Sequence, residues 1–257
     1  MTTPRNAWPW PAFIAHRAGG RLAPENTLAA LRMGARKGFR MVEYDVKLSQ
    51  DGVLFLMHDD TVDRTSDGRG IASNLSWAAL SELDFGKGHG PEFAGEAATT
   101  LRAMAHASRA LGVHSNIEIK PMTGFEAQTG EAVARAAARL WQGAPLPPLL
   151  SSFSEASLEA ARKAAPELPR ALLIEGPVPA DWHARMLGLG CSGVNINTKY
   201  AEREAVRDIL DRGATLSVWT VNEVARAKEL LSWGCQAVFT DALDTVRADA
   251  PELAHLG

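Results

Sequence analysis

Short apolar runs alternate with segments of helical periodicity along almost the whole chain. Strand-type runs lie at 12–16, 41–47, 53–57, 115–119, 148–152, 170–174, 193–197, 214–219 and 237–240. Between most of them apolar residues recur three and four apart, as in NTLAALRMGARKG, GEAVARAAARLW, EASLEAARKAA, EREAVRDILDRG and EVARAKELLSWG. Several of these segments end in the glycine that favours a helix stop. Strand and helix in turn predict a parallel sheet. The run at 53–57 is the exception, because the turn-like SQDG joins it to the preceding strand and predicts a hairpin. Without it eight βα units remain, the number that closes a (β/α)8 TIM barrel. The hairpin strand runs back toward the barrel mouth and delivers His58 to the face formed by the C-terminal strand ends, where barrel enzymes carry their chemistry. Residues 59–98 are polar and Gly-rich with one short helical stretch, LSWAALSELDFG, and predict a small inserted subdomain over that mouth. The whole of 1–257 reads as one domain.

Composition narrows the function. With 257 residues and 46% hydrophobic content the chain can bury a barrel-sized core. Its 27 basic and 30 acidic residues nearly cancel and form no long basic run, which argues against nucleic-acid binding. Prolines interrupt the N-terminal MTTPRNAWPWPAFIAHR, and no run of about 18 apolar residues occurs. A cytoplasmic protein without stable membrane association is expected. Cys191 and Cys235, far apart in apolar surroundings, read as small buried residues of a reducing compartment. Oligomeric state leaves no signal in the sequence.

The candidate chemistry sits at strand ends. In EYDV, Glu43 and Asp45 are two apart on a strand and share a face. In EIK, Glu118 and Lys120 do the same. A lone Glu-x-Asp is ordinarily a polar edge, but two such pairs at strand ends favour a metal site, since buried like charges repel unless a cation joins them. Three carboxylates without cysteine suit a hard divalent ion, Mg²⁺ or Ca²⁺. His16 and His58 each end a strand, beside Arg17 and Asp59, and fit proton transfer at a phosphate ester. His89, His106, His114, His183 and His255 lack such context and read as structural or surface. Arg17, Lys120 and the amino end of the helix that starts near Asn26 and Thr27 supply a field that suits phosphate. At least one of those two residues reads as an ordinary cap. Trp219 in WTVN reads either as a wall of the site or as core, Asn222 as a helix cap, and NINTK and Phe153 as weaker candidates.

With HRAGGRLAPENT, EYDV, MHDD, EIK and WTVN in this order, the chain resembles the glycerophosphodiester phosphodiesterase family, its short cytoplasmic bacterial members most closely. The resemblance runs from about Phe13 to about Asp241. It implies the phospholipase C-like phosphodiesterase barrel with an inserted subdomain, and hydrolysis of a small-molecule glycerophosphodiester to glycerol 3-phosphate and an alcohol. It implies that Glu43, Asp45 and Glu118 bind one divalent cation, and that His16 and His58 form the acid–base pair; we read His16 as the base and His58 as the acid, a division the sequence itself leaves open. Arg17 and Lys120 would meet the phosphate, and Glu25 would place or orient the substrate. The attacking oxygen is either water or the neighbouring glycerol hydroxyl. Many members read HRG where this chain reads HRAGG, which shifts the expected glycine turn around Ala18. Three other readings stand beside this one. A phospholipase C or sphingomyelinase D-like enzyme acting on phospholipid needs an exposed apolar surface. A sugar-phosphate lyase or isomerase leaves the two strand-end histidines unexplained. A barrel that binds without cutting need not keep all three acids and both histidines.

Overall fold

The alternation of runs folds as a closed barrel. The structure, a computed structural model, describes residues 7–247, 249 and 250, so His255 lies outside the described residues. Its strands are β1 (Phe13–Ala15), β2 (Met41–Leu48), β3 (Leu54–Leu56), β4 (His114–Ile119), β5 (Leu149–Ser152), β6 (Arg170–Ile174), β7 (Gly193–Asn197), β8 (Thr215–Trp219) and β9 (Ala237–Thr240). The α-helices are α1 (Leu28–Arg36), α2 (Trp77–Ser81), α3 (Leu101–Ala110), α4 (Glu126–Leu140), α5 (Glu155–Ala164), α6 (Trp182–Gly188), α7 (Arg203–Asp211) and α8 (Val224–Ser232). Eight strands pair in parallel in the order β1-β2-β4-β5-β6-β7-β8-β9, and β9 returns to β1 to close the ring. The remaining strand, β3, pairs antiparallel with β2 as the hairpin requires. His114, read from the sequence as lying in a helix or loop, instead opens β4.

Alternation within each strand sorts side chains between the lumen and the outer helical layer. The outward set, with Val42, Tyr44, Ile117, Leu172, Val194 and Leu216 among it, packs with α-helix residues such as Leu31, Met104 and Leu158 into the main core. Inside, the N-terminal half of the lumen is apolar: Ile14, Met41, Leu149, Ala171 and Phe239 pack together under Trp10. The C-terminal half is polar. Burial of the apolar layers supplies the stabilising free energy, at about 25 cal/mol per Å² of apolar surface, while the polar half is spent on chemistry.

Between β3 and α3 the chain leaves the barrel and packs around a separate apolar cluster of Phe55, Met57, Val62, Ala72, Leu80 and Phe85. Short bridges from Thr61 to Ile71 and from Asp84 to Ala97 close it on itself. Glu96 then returns a carboxylate to the barrel and accepts from the Ala29 N–H at 2.9 Å. Thr27 caps the same helix by accepting from Ala30 N–H at 3.1 Å. The amino end of α1 is therefore satisfied by Thr27 and Glu96 rather than offered to a phosphate, because the insertion brings back an acid that the local sequence does not show. Among the described residues no helix is long and apolar enough to cross a membrane. Cys191 and Cys235 are buried and unpaired.

Candidate active site

The strand ends assemble the charged residues around one cavity of about 750 Å³, lined by His16, Arg17, Glu43, His58, Glu118 and Lys120 among others. Glu43 and Asp45 share a face of β2, and the parallel register sets Asp45 beside Glu118 of β4. One carboxylate oxygen from each lies within 4.8 Å of the other two, and all three residues are buried. Asn26, which the sequence offered only as a cap, instead clasps Asp45: its Nδ2 donates to Oδ2 at 2.9 Å, and its Oδ1 accepts from the Asp45 N–H at 3.0 Å. Lys120 Nζ donates to Glu118 Oε1 at 2.8 Å and lies 3.8 Å from Asp45 Oδ1.

So much negative charge out of water perturbs the acids. Burial, reinforced by Asp45, pushes Glu43 up to about 8, and burial, again with Asp45, pushes Glu118 up to about 7. Burial works against Asp45 as well, but Lys120, His58 and Arg17 outweigh it and hold that acid below the usual carboxylate range.

Two histidines line the same cavity. His16 presents Nδ1 to Asp241 Oδ1 at 2.7 Å and Nε2 toward Glu43 at 3.8 Å. His58 presents Nδ1 to Asp59 Oδ1 at 2.7 Å and Nε2 to Lys120 Nζ at 3.2 Å. In each case a carboxylate fixes the ring at Nδ1, and at His58 Lys120 also meets Nε2. Burial opposes charge on His16, but the Asp241 hydrogen bond and Glu43 overcome it and raise its pKa. At His58 burial prevails, aided by Lys120 and Arg17, and its pKa is lowered. Asp241 was missed in the sequence, although it is an acid directly after the last strand in FTD. Asn222, expected as a helix cap, instead accepts from the Asp241 N–H at 2.8 Å. It is an anchor for the acid that orients His16.

Arg17 lies over Glu43 and Asp45, its N–H donating to Glu43 Oε2 at 2.9 Å and its Nε within 4.0 Å of Asp45. Its Nη1 donates to Glu25 Oε1 at 2.9 Å. Glu25 turns its carboxylate to two guanidiniums rather than into the cavity, for Arg64 of the insertion donates to both its oxygens at 2.7 and 2.8 Å. The same Arg64 holds Asp59 at 2.6 and 3.0 Å. Sequence reasoning passed over Arg64 because it lies in a stretch without periodicity.

The turn that carries these groups runs through Ala18. Arg17 and Ala18 take left-handed φ values of 48° and 70°, and Ala18 bears there the steric cost that a glycine avoids. Gly20 is indispensable, since a Cβ on it would come 2.3 Å from Asp241 O. Trp219 forms part of the cavity wall, meeting Phe153 edge to face with centroids 5.5 Å apart. Asn195 of NINTK also lines the cavity, whereas Asn197 caps the short turn that follows by accepting from Lys199 N–H at 2.9 Å.

The acid cluster has the character of a cation site. Glu43 Oε1 is buried without any partner in the protein, and a carboxylate oxygen of Glu43 lies within 4.8 Å of one from each of two further buried acids. An all-oxygen donor set of this charge fits a hard divalent cation.

The fold is an eight-stranded (β/α)8 barrel that gathers two histidines, Arg17, Lys120 and a buried acid triad at the C-terminal ends of its strands. The chain belongs to the glycerophosphoryl diester phosphodiesterase family, whose model matches residues 16–245. It is similar to a glycerophosphodiester phosphodiesterase of Caldanaerobacter subterraneus subsp. tengcongensis, 30% identical over 91% of this chain and 95% of that one. A Bacillus subtilis glycerophosphodiester phosphodiesterase is 28% identical over 90% of this chain and 83% of its own. Among solved structures it is similar to an Oleispira antarctica phosphodiesterase in complex with the product sn-glycerol-3-phosphate. That structure is 33% identical with a TM-score of 0.85, covering 91% of this chain and 94% of that one. The protein is accordingly a phosphodiester hydrolase, and its family is divalent-metal dependent.

Proposed function

We propose that the protein cleaves glycerophosphodiesters into glycerol 3-phosphate and an alcohol, with His16 and His58 as the proton-transfer pair. The observation that carries this reading is the pair of imidazoles, each held at Nδ1 by an aspartate, that line one cavity together with Glu43 and Glu118. Glu43, Asp45 and Glu118 would hold the cation, Mg²⁺ or Ca²⁺. When bound, that cation supplies positive charge against the charge that builds on phosphorus oxygens during displacement.

The chain's own groups do the rest. Arg17 and Lys120 bind and orient the phosphate, and Glu25 holds the Arg17 guanidinium in place. One imidazole takes the proton of the attacking hydroxyl as it bonds to phosphorus. The other gives a proton to the departing alkoxide as the phosphorus–oxygen ester bond breaks; where the attacking hydroxyl is the glycerol's own, water then opens the cyclic phosphate with the two rings in reversed roles, and where it is water, proton exchange with solvent resets both rings. Phe153 and Trp219 form an aromatic part of the cavity wall. The two buried unpaired cysteines support a cytoplasmic location.

The test is release of glycerol 3-phosphate from glycerophosphocholine and glycerophosphoethanolamine in Mg²⁺, in Ca²⁺ and in excess chelator. Release that needs a divalent ion is the expected outcome. Full turnover under chelator would remove the metal role, and no turnover on either diester would remove the substrate.

A further inference from the structure

One ionised side chain on β2 takes no part in the chemistry described above. Lys47 shares a strand face with Glu43 and Asp45, and its side chain is 1% exposed. Taking an ammonium out of water is costly unless it is paired. Its Nζ donates to Asp60 Oδ1 at 2.9 Å and lies 4.0 Å from Met122 Sδ. Asp60 is its one ion-pair partner among the described residues. Phe55 stands opposite Lys47 in register and belongs to the apolar cluster of the insertion. The lysine is thus buried where the insertion meets the barrel.

Its partner closes a short span of chain. The hairpin backbone makes its last bond to β2 where Met57 N–H donates to Asp45 O at 3.0 Å. Three residues on, Asp60 O accepts from Ala72 N–H at 2.9 Å and so belongs to the insertion. Between them lie His58 and Asp59, the ring and the acid that orients it. Asp45 and Lys47 are two apart on one strand, so both ends of the span are fastened to the same stretch of β2. Arg64 grips Asp59 with a half-exposed side chain, whereas Lys47 reaches Asp60 from within a strand. An apolar residue of similar length would fill the slot without desolvating a charge, so stability alone does not account for a lysine there.

Resting on the proton-transfer reading above, we propose that Lys47 is a positioning residue, which pins Asp60 to β2 and so fixes the span that carries His58 and Asp59. It is not among the residues that line the cavity and acts on the rate through His58.

The experiment measures kcat and KM on glycerophosphocholine, per folded molecule, for wild type, Lys47→Met, His58→Ala and the variant carrying both changes. Misplacing a reacting group by about 1 Å costs as much as about 10²-fold, so Lys47→Met is expected to lower kcat by about fivefold or more, with KM within about twofold of wild type. In the His58→Ala background the same change is expected to cost less than about twofold, because the ring it places is gone. A purely structural role would lower both backgrounds alike or change only the amount of folded protein. Lys47→Met/Asp60→Ala removes both charges and leaves none buried unpaired. The same loss is expected of it, and it decides the matter if Lys47→Met fails to fold. A fall in kcat of less than about fivefold in Lys47→Met overturns the proposal, as does an equal loss in the His58→Ala background or a loss carried by KM alone. Wild-type kcat in Lys47→Met/Asp60→Ala also overturns it, since the cause would then be the freed charge of Asp60. A near-normal His58→Ala rate overturns the proton-transfer reading and this inference with it, whereas a slow His58→Ala beside an undiminished Lys47→Met overturns this inference alone.

Discussion

His16 and His58 are held by the same device and live in different surroundings. Each ring rests Nδ1 on an aspartate at 2.7 Å. Asp241, behind His16, is itself held by a neutral amide, with Asn222 Nδ2 at 3.4 Å. Asp59, behind His58, is gripped by the Arg64 guanidinium, whose hydrogen bonds hold it far below the ordinary carboxylate range. The first pair is built from barrel strand ends and their loops. The second is held by the insertion. A carboxylate whose charge is already taken up by a guanidinium can still aim an imidazole, but it has less charge left to stabilise an imidazolium. Geometry and electrostatics, joined in one residue at His16, are divided between two at His58.

The largest effect should come from the rings themselves. His16→Ala and His58→Ala are each expected to lower kcat by about 10²- to 10⁴-fold, and a near-normal rate for either would end its assignment. Next come the orienting acids. Asp241→Asn keeps the shape but weakens the hold on His16, and a loss of about 10- to 100-fold in kcat is expected by analogy with outer partners of metal sites. Arg64→Ala should do less. Its side chain is half exposed and both carboxylates survive, so a two- to fivefold loss is expected, on the scale of about 1 kcal/mol for such pairs. Added salt should lower the wild-type rate and leave the variant's unchanged, so that the loss shrinks as ionic strength rises. An Arg64→Ala loss equal to that of Asp241→Asn would show that the insertion orders the site as strongly as the barrel does.

The smallest change is thermal. In metal-free protein Glu43 and Glu118 hold their protons up to about 8 and about 7, above the unfolded value of about 4.3. The folded state then binds more protons than the unfolded one, so this contribution is fully present below the unfolded pKa and is lost as pH rises through about 7 to about 8. Under chelator the melting temperature should fall by a few degrees between pH 6 and pH 9, at about 2–4 °C per kcal/mol for a chain of this size. Saturating Mg²⁺ should remove or reverse the trend, because ionised carboxylates are what the ion binds. Scanning calorimetry at both pH values with and without the ion decides it.

Much of this was legible in the sequence for a physical reason. Strand alternation and helical periodicity are local, so the nine strand runs and the hairpin at 53–57 could be read directly, and the two-residue spacing of Glu43 with Asp45 and of Glu118 with Lys120 fixed a common face. What escaped depends on distant partners. The amino end of α1 looked free until Glu96 was seen to return to Ala29 across 67 residues. Asn222 looked like a cap until Asp241 was found behind it. Arg64 had no pattern to reveal it, since its two partners, Glu25 and Asp59, meet only in the folded mouth.

Barrel closure has a further consequence for how the chain becomes active. His16 and Asp241 are 225 residues apart, and they touch only when β9 docks beside β1. The acid triad, by contrast, spans neighbouring strands β2 and β4 and assembles from the first half of the chain. A molecule that folds strand by strand thus gains its cation-binding cluster long before it gains an oriented His16, because long-range pairing must first meet the cost of ordering a large loop. The acid cluster and the oriented His16 are therefore expected to form as separate events in time, the cluster first.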